Sequence, residues 1–160
     1  MCIRDSIWPL LLLGALLWLS ARLTLRLVGP EGVLPALVLP VLSPALIAEF
    51  APGRVDHHNL IILLTLALAW VSIEALARPR LAALAGLLAA TALAIATESI
   101  PAVVAAVVAF GLLWVINPAQ GRCTRWFGIS FGAGSIMHLA LAQPPSRWLC
   151  LLYTSPSPRD

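Results

Sequence analysis

A guanidinium, a carboxylate and two imidazoles fall within the stretch Phe50-Ala51-Pro52-Gly53-Arg54-Val55-Asp56-His57-His58-Asn59-Leu60, directly ahead of the apolar run Ile61-Ile62-Leu63-Leu64. One carboxylate and two imidazoles are the ligand types of Zn, Mn or, less well for His, Mg. In a helix, positions i and i+2 point to nearly opposite sides, whereas in an extended segment they share a side. Asp56 and His58 can therefore grip one divalent ion only if the Pro52-Gly53 turn delivers them extended and the helix begins near Asn59. His57 then points away, toward packing or a partner that supports a ligand. The same Asp56 also suits a helix N-cap, where a carboxylate accepts from free backbone N–H groups at the positive helix end. Arg54 can bind a phosphate oxygen, or pair with Asp56 or a lipid headgroup. Glu98, ahead of Ser99-Ile100-Pro101, and Glu49, ahead of the Pro-Gly turn, are further acids able to face the same region as ligands or acceptor-binding groups, or simply to solvate helix ends.

The elements that must carry these residues are set by composition. Residues 1–6, Met-Cys-Ile-Arg-Asp-Ser, and 150–160, Cys-Leu-Leu-Tyr-Thr-Ser-Pro-Ser-Pro-Arg-Asp, resemble translated sequencing-library adapter in opposite orientations and are expected to lie outside the folded domain. The domain is then 7–149, an internal piece of a longer protein. Within it Cys123 is the one cysteine, which excludes a disulfide framework or a cysteine metal cluster. All basic residues are arginine, and no nucleic-acid partner is expected. With 61% hydrophobic residues and a mean hydropathy of +0.96, the chain lies far outside the range of soluble domains.

Six apolar segments, 7–27, 33–49, 59–77, 81–98, 101–117 and 124–142, approach the roughly 20 residues that a bilayer core requires. Gly29-Pro30-Glu31-Gly32, Ala51-Pro52-Gly53, Arg78-Pro79-Arg80, Ser99-Ile100-Pro101 and Asn117-Pro118-Ala119-Gln120-Gly121 separate them with residues that end helices. The runs are continuous rather than alternating, and open sheet edges are not tolerated in lipid. The expected fold is all-α, a polytopic transmembrane bundle of about six spans. Arg22, Arg26, Arg78, Arg80, Arg122 and Arg125 fall in alternate loops, and the positive-inside rule makes their side cytoplasmic. Arg54, Asp56, His57, His58, Glu98 and Arg147 then share the outer side, with the Gln143-Pro144-Pro145 exit.

Other polar residues read as structural. The Ala-, Gly- and Thr-rich segment 81–98 suits a packed inner helix, and Gly128, Gly132 and Gly134 have the spacing of close helix contact. His138 is expected to be buried and hydrogen-bonded, with a role in the outer cavity as the alternative, Glu74 to pair with Arg78 at i,i+4, and Trp8, Trp70, Trp114, Trp126 and Trp148 to anchor span ends.

The stretch Pro52-Gly53-Arg54-Val55-Asp56-His57-His58-Asn59, at the outer end of a helix after two preceding spans, resembles the second acidic motif of the oligosaccharyltransferase catalytic subunits and related GT-C membrane glycosyltransferases. Archaeal members carry Asp-x-His there, and eukaryotic and bacterial members Asp-x-Glu or Asp-x-Asp. The resemblance implies that Asp56 and His58 bind a divalent metal and act in catalysis. It also implies a sugar or oligosaccharide donor on a polyprenyl (pyro)phosphate, held in the membrane lipid, with transfer to an acceptor at the outer leaflet. The family's first acidic motif would lie upstream of Ile7, and its acceptor-recognition motif beyond Leu149. A second function class fits the same residues: a transporter or flippase subunit with Asp56 and His58 at the mouth of an ion or proton pathway.

Overall fold

The computed structural model describes residues 3–54 and 56–142, and among them every regular element is a helix. Seven α-helices follow in order: α1 Ile3–Leu27, α2 Val33–Leu42, α3 Pro44–Glu49, α4 His57–Ala75, α5 Leu81–Ile95, α6 Ile100–Ile116 and α7 Gly121–Ala142. Backbone groups inside lipid must be satisfied within their own segment, and an apolar chain of this composition meets that demand by coiling into helices.

Among the described residues, three stretches are long and apolar enough to cross a membrane: Ile7–Leu27, His57–Ala75 and Thr97–Ile116. The other three apolar segments depart from uniform spans, each for a local reason. Segment 33–49 is broken at Ser43, which is extended with ψ 112° because the ring of Pro44 disfavours a helical residue before it. Ser43 then caps the new helix through Leu46 N–H at 3.5 Å. Segment 81–98 stops at Ile95, where Ala96 turns extended and Thr97–Ser99 form a short 3-10 turn. Segment 124–142 lies within the 22-residue α7, which is long but carries Arg122, Arg125, Ser130, Ser135 and His138. At the N-terminus, α1 starts at Ile3, so the helix runs into residues expected to lie outside the domain.

Helix directions follow from the contacts. Leu12 and Leu16 of α1 pack with Phe50 and with Leu60 and Leu63 of α4, Trp18 meets Trp70 edge-on at 5.5 Å, and Arg26 pairs with Glu74 at 3.3 Å. Positions on α1 and α4 thus advance together, so the two helices are parallel and α2 with α3 returns the chain between their ends. Glu74 bonds to Arg26 on another helix rather than to Arg78, its expected i,i+4 partner.

The tightest packing is between α5 and α7. A Cβ added at Gly86 would collide with Ser130 Oγ and lie 2.5 Å from Phe127 O, and one at Gly134 would lie 2.9 Å from Ala90 Cβ. In lipid, helix association depends on such close approach rather than on water exclusion. Ala82, Ala85, Gly86, Ala89, Ala90 and Ala92 are buried, which makes α5 the inner helix that its small residues suggested. Of the three glycines expected to pack, Gly134 does so, while Gly128 and Gly132 face open space. Phe110 of α6 stacks on Phe127 of α7 at 4.4 Å, and Thr124 Oγ1 donates to Phe110 O at 2.7 Å. Cys123 Sγ reaches Ala75 O at 3.3 Å and closes α7 against the end of α4.

The outer surface is apolar. Leu11, Val107, Val115, Ile116 and Ile129 are among many large hydrophobic side chains left exposed, an arrangement consistent with a membrane protein. The helix directions collect Arg22, Arg26, Arg78, Arg80, Arg122 and Arg125 at one end of the bundle. Asp56, His57, His58 and Glu98 lie at the opposite end.

Candidate functional site

The polar end is built by the turn between α3 and α4. Pro52 and Gly53 reverse the chain, with Gly53 at φ +91°, a left-handed conformation that favours glycine. Arg54 N–H closes the turn onto Ala51 O at 3.1 Å. Asn59, fully buried in the first turn of α4, donates from Nδ2 to Arg54 O at 3.4 Å and ties the loop to the helix.

Asp56 is extended, at φ −111° and ψ 158°, and caps α4. Its Oδ1 accepts from His57 N–H at 2.6 Å and lies 2.7 Å from His57 Nδ1. The helix therefore begins at His57, two residues earlier than the ligand geometry anticipated, and His57 folds back onto Asp56 instead of pointing away. The imidazoles of His57 and His58 lie 4.2 Å apart at 33°. Capping consumes Oδ1 and leaves Oδ2 facing the rest of the cluster, 3.8 Å from His58 Nε2 and 3.9 Å from Arg54 Nη2.

His58 joins two parts of the fold. Its Nδ1 meets Oε2 of Glu98, a residue of the 3-10 turn that precedes α6, at 3.0 Å. Glu98, a candidate ligand or a solvated helix end from sequence, is thus a direct partner of His58. That turn is held by buried Ser99, whose Oγ donates to Ala96 O at 2.8 Å. Glu49 Oε1 lies 3.4 Å from Arg54 Nη2, and Arg54 Nη1 donates to Ala48 O at 3.4 Å. Glu49, Arg54, His58, Ile61, Ile62 and Glu98 line an open cleft of about 310 Å³.

The backbone N–H of His57 holds the Asp56 carboxyl below its ordinary pKa; partial burial opposes the shift, and the positive charges of His58, His57 and Arg54 add to it. An ionised carboxylate is what a cation ligand must be. The donor set fits a divalent ion: one ligand atom from each of Asp56, His57 and His58 lies within 4.8 Å of the others. Two ligands with bonds of about 2.0 Å to one tetrahedral ion lie about 3.3 Å apart, near the 3.8 Å between Asp56 Oδ2 and His58 Nε2. Glu98 on the other ring nitrogen supplies the carboxylate–histidine arrangement that fixes a metal-binding imidazole. Asp56 Oδ2 and His58 Nε2 would hold the ion, which would add positive charge beside Arg54.

Asn59 and Ser99 escaped the sequence reading. An Asn at the third residue of α4, directly ahead of its apolar run, was the available signal for the first; the second depends on the turn at Ala96. His138 is half-buried rather than buried; it bonds to Thr91 Oγ1 at 3.1 Å and lines a cavity of about 380 Å³ together with Ala90, Leu93 and Ser135. Arg147, Trp148, Gln143-Pro144-Pro145 and segment 150–160 lie outside the described residues. No family model, curated protein or solved structure matches this chain.

Proposed function

We propose that this chain carries a metal-ligating motif of an integral-membrane glycosyltransferase that takes a sugar or oligosaccharide from a polyprenyl phosphate or pyrophosphate at the outer face of the membrane. The observation that carries the reading is His58, set between Asp56 at 3.8 Å and Glu98 at 3.0 Å. In this reading Asp56 and His58 bind Mn, Mg or Zn, and the ion supplies charge neutralisation for a leaving phosphate. Arg54 turns its guanidinium from Asp56 toward a donor phosphate oxygen, a planar fork suited to that contact. Glu49 keeps Arg54 oriented while Glu98 keeps the His58 ring fixed. The chain crosses the membrane six times, with α2 and α3 together forming one crossing, and the arginine-rich end is cytoplasmic.

The experiment measures sugar transfer from a labelled polyprenyl-phosphate donor in membranes expressing the chain in its full reading frame, with chelator and with Mn restored. Turnover is expected to require the metal and to fall to background in Asp56→Asn, which keeps a capping side chain. Metal-independent turnover, or an unchanged Asp56→Asn enzyme, refutes the reading. Metal- or proton-coupled flux without sugar transfer would instead support the transporter class.

A further inference from the structure

The opposite end of the bundle contains a second cavity, of about 430 Å³, where α6 gives way to α7. Its lining includes Trp114 and the side chains of Arg122, Thr124 and Arg125. Arg122 and Arg125 are both exposed and stand three residues apart on the first turn of α7, so they share a face. Neither has an acid within ion-pair distance among the described residues. Of the acids at this end, Glu74 is taken by Arg26, and Glu31 lies in the turn after α1. Thr124 already donates to Phe110 O at 2.7 Å, which leaves its oxygen able to accept but not to add a donor. Trp114 is 56% exposed and packs against Gly121, its indole Nε1 lying 3.3 Å from where a Cβ would stand. Away from that end, Val107 stands seven residues before Trp114 on the same stripe of α6 and Ile129 stands four residues after Arg125 on α7, exposed by 45% and 60%.

Two free guanidinium groups, an interfacial indole and an apolar strip running away from them match a molecule with a phosphate head and acyl chains. We infer that the cavity is a binding site for an anionic phospholipid, its phosphate between Arg122 and Arg125 and its chains along Val107 and Ile129. A basic pocket between helix ends at a membrane surface recognises such headgroups by charge and by bidentate guanidinium contacts. Trp114 fixes the depth of the headgroup, as aromatic residues do at the interface. The inference stands on this end of the molecule alone and is independent of the metal cluster at the other.

The test is native mass spectrometry of the detergent-solubilised full chain titrated with phosphatidylglycerol, with phosphatidylcholine and with inorganic phosphate. Phosphatidylglycerol is expected to bind in preference to both. The double variant R122Q/R125Q should weaken its binding about thirtyfold, two arginines' worth of attraction to an anionic headgroup. R78Q/R80Q, at the same end but outside the cavity, should bind as the parent does. Equal binding of phosphatidylcholine, equal loss in R78Q/R80Q, or retention in R122Q/R125Q overturns the site. Inorganic phosphate binding as tightly as the lipid overturns the lipid as its occupant. R122K/R125K, which keeps charge without the fork, guards against a folding artefact and should retain part of the affinity.

Discussion

The two ends of the bundle use charge in opposite ways. At the end of Asp56, six titratable side chains close on one another: Glu49 on Arg54, Arg54 on Asp56, Asp56 on His57 and His58, His58 on Glu98. At the arginine end, Arg26 has Glu74 and Arg22 lies 5.7 Å over the Trp18 ring, while Arg78, Arg80, Arg122 and Arg125 have no ion-pair partner among the described residues. Interlocked groups hold each other at fixed geometry, which is what a ligand set requires. Unpaired arginines beside exposed Trp and Val instead present charge to a surrounding phase, as residues do where a bilayer meets water.

The largest expected effect breaks the polar end. Asp56→Ala removes the proposed metal ligand and the helix cap together, so divalent binding should be lost and the chain should melt at a lower temperature; thermal melting and metal titration separate the two losses. Glu98→Gln leaves both ligands in place but weakens the hold on the His58 ring, and Mn affinity is expected to drop about 10- to 100-fold. An unchanged affinity would reduce Glu98 to a surface acid. Between the ends, Gly86→Ala forces a Cβ to within 2.5 Å of Phe127 O. That should cost about 1–3 kcal/mol, read as an earlier thermal transition of the detergent-solubilised chain.

The titration of Asp56 sharpens the contrast further. Its folded pKa is depressed, so the stability it contributes is present above the ordinary carboxylate value of about 3.9 and is lost as pH falls through the lower folded pKa. Carbon-13 NMR of the Asp56 carboxyl should show a midpoint below that ordinary value. A midpoint above it would contradict the capped geometry. The smallest effect belongs to the other end: Arg26→Ala breaks a partly exposed pair with Glu74 and should change stability by no more than about 1 kcal/mol, measurable by denaturant titration.

Local chemistry explains what could be read from the residues. Continuous apolar runs mark the helices, the Ala and Gly of 81–98 mark the inner one, and the adjacency of Arg54, Asp56, His57 and His58 marks the cluster. The break at Ser43 was also written locally, in the proline that follows it, but it is masked by an otherwise uniform apolar run. The early start of α4 reflects capping by Asp56, which uses Oδ1 on the His57 N–H and leaves Oδ2 toward His58 and Arg54. Glu98 meeting His58 and Glu74 choosing Arg26 are long-range results of helix packing. Their partners lie 40 and 48 residues away in sequence, and no spacing rule connects them.

The central claim is that Asp56 and His58 form a divalent-cation site. Electron paramagnetic resonance of Mn titrated into the purified chain tests it most directly, with His58→Gln and Asp56→Asn compared against His138→Gln as a control outside the cluster. The account predicts a tight bound-Mn signal that disappears in the first two variants and persists in the third. A signal that survives in both His58→Gln and Asp56→Asn would contradict it.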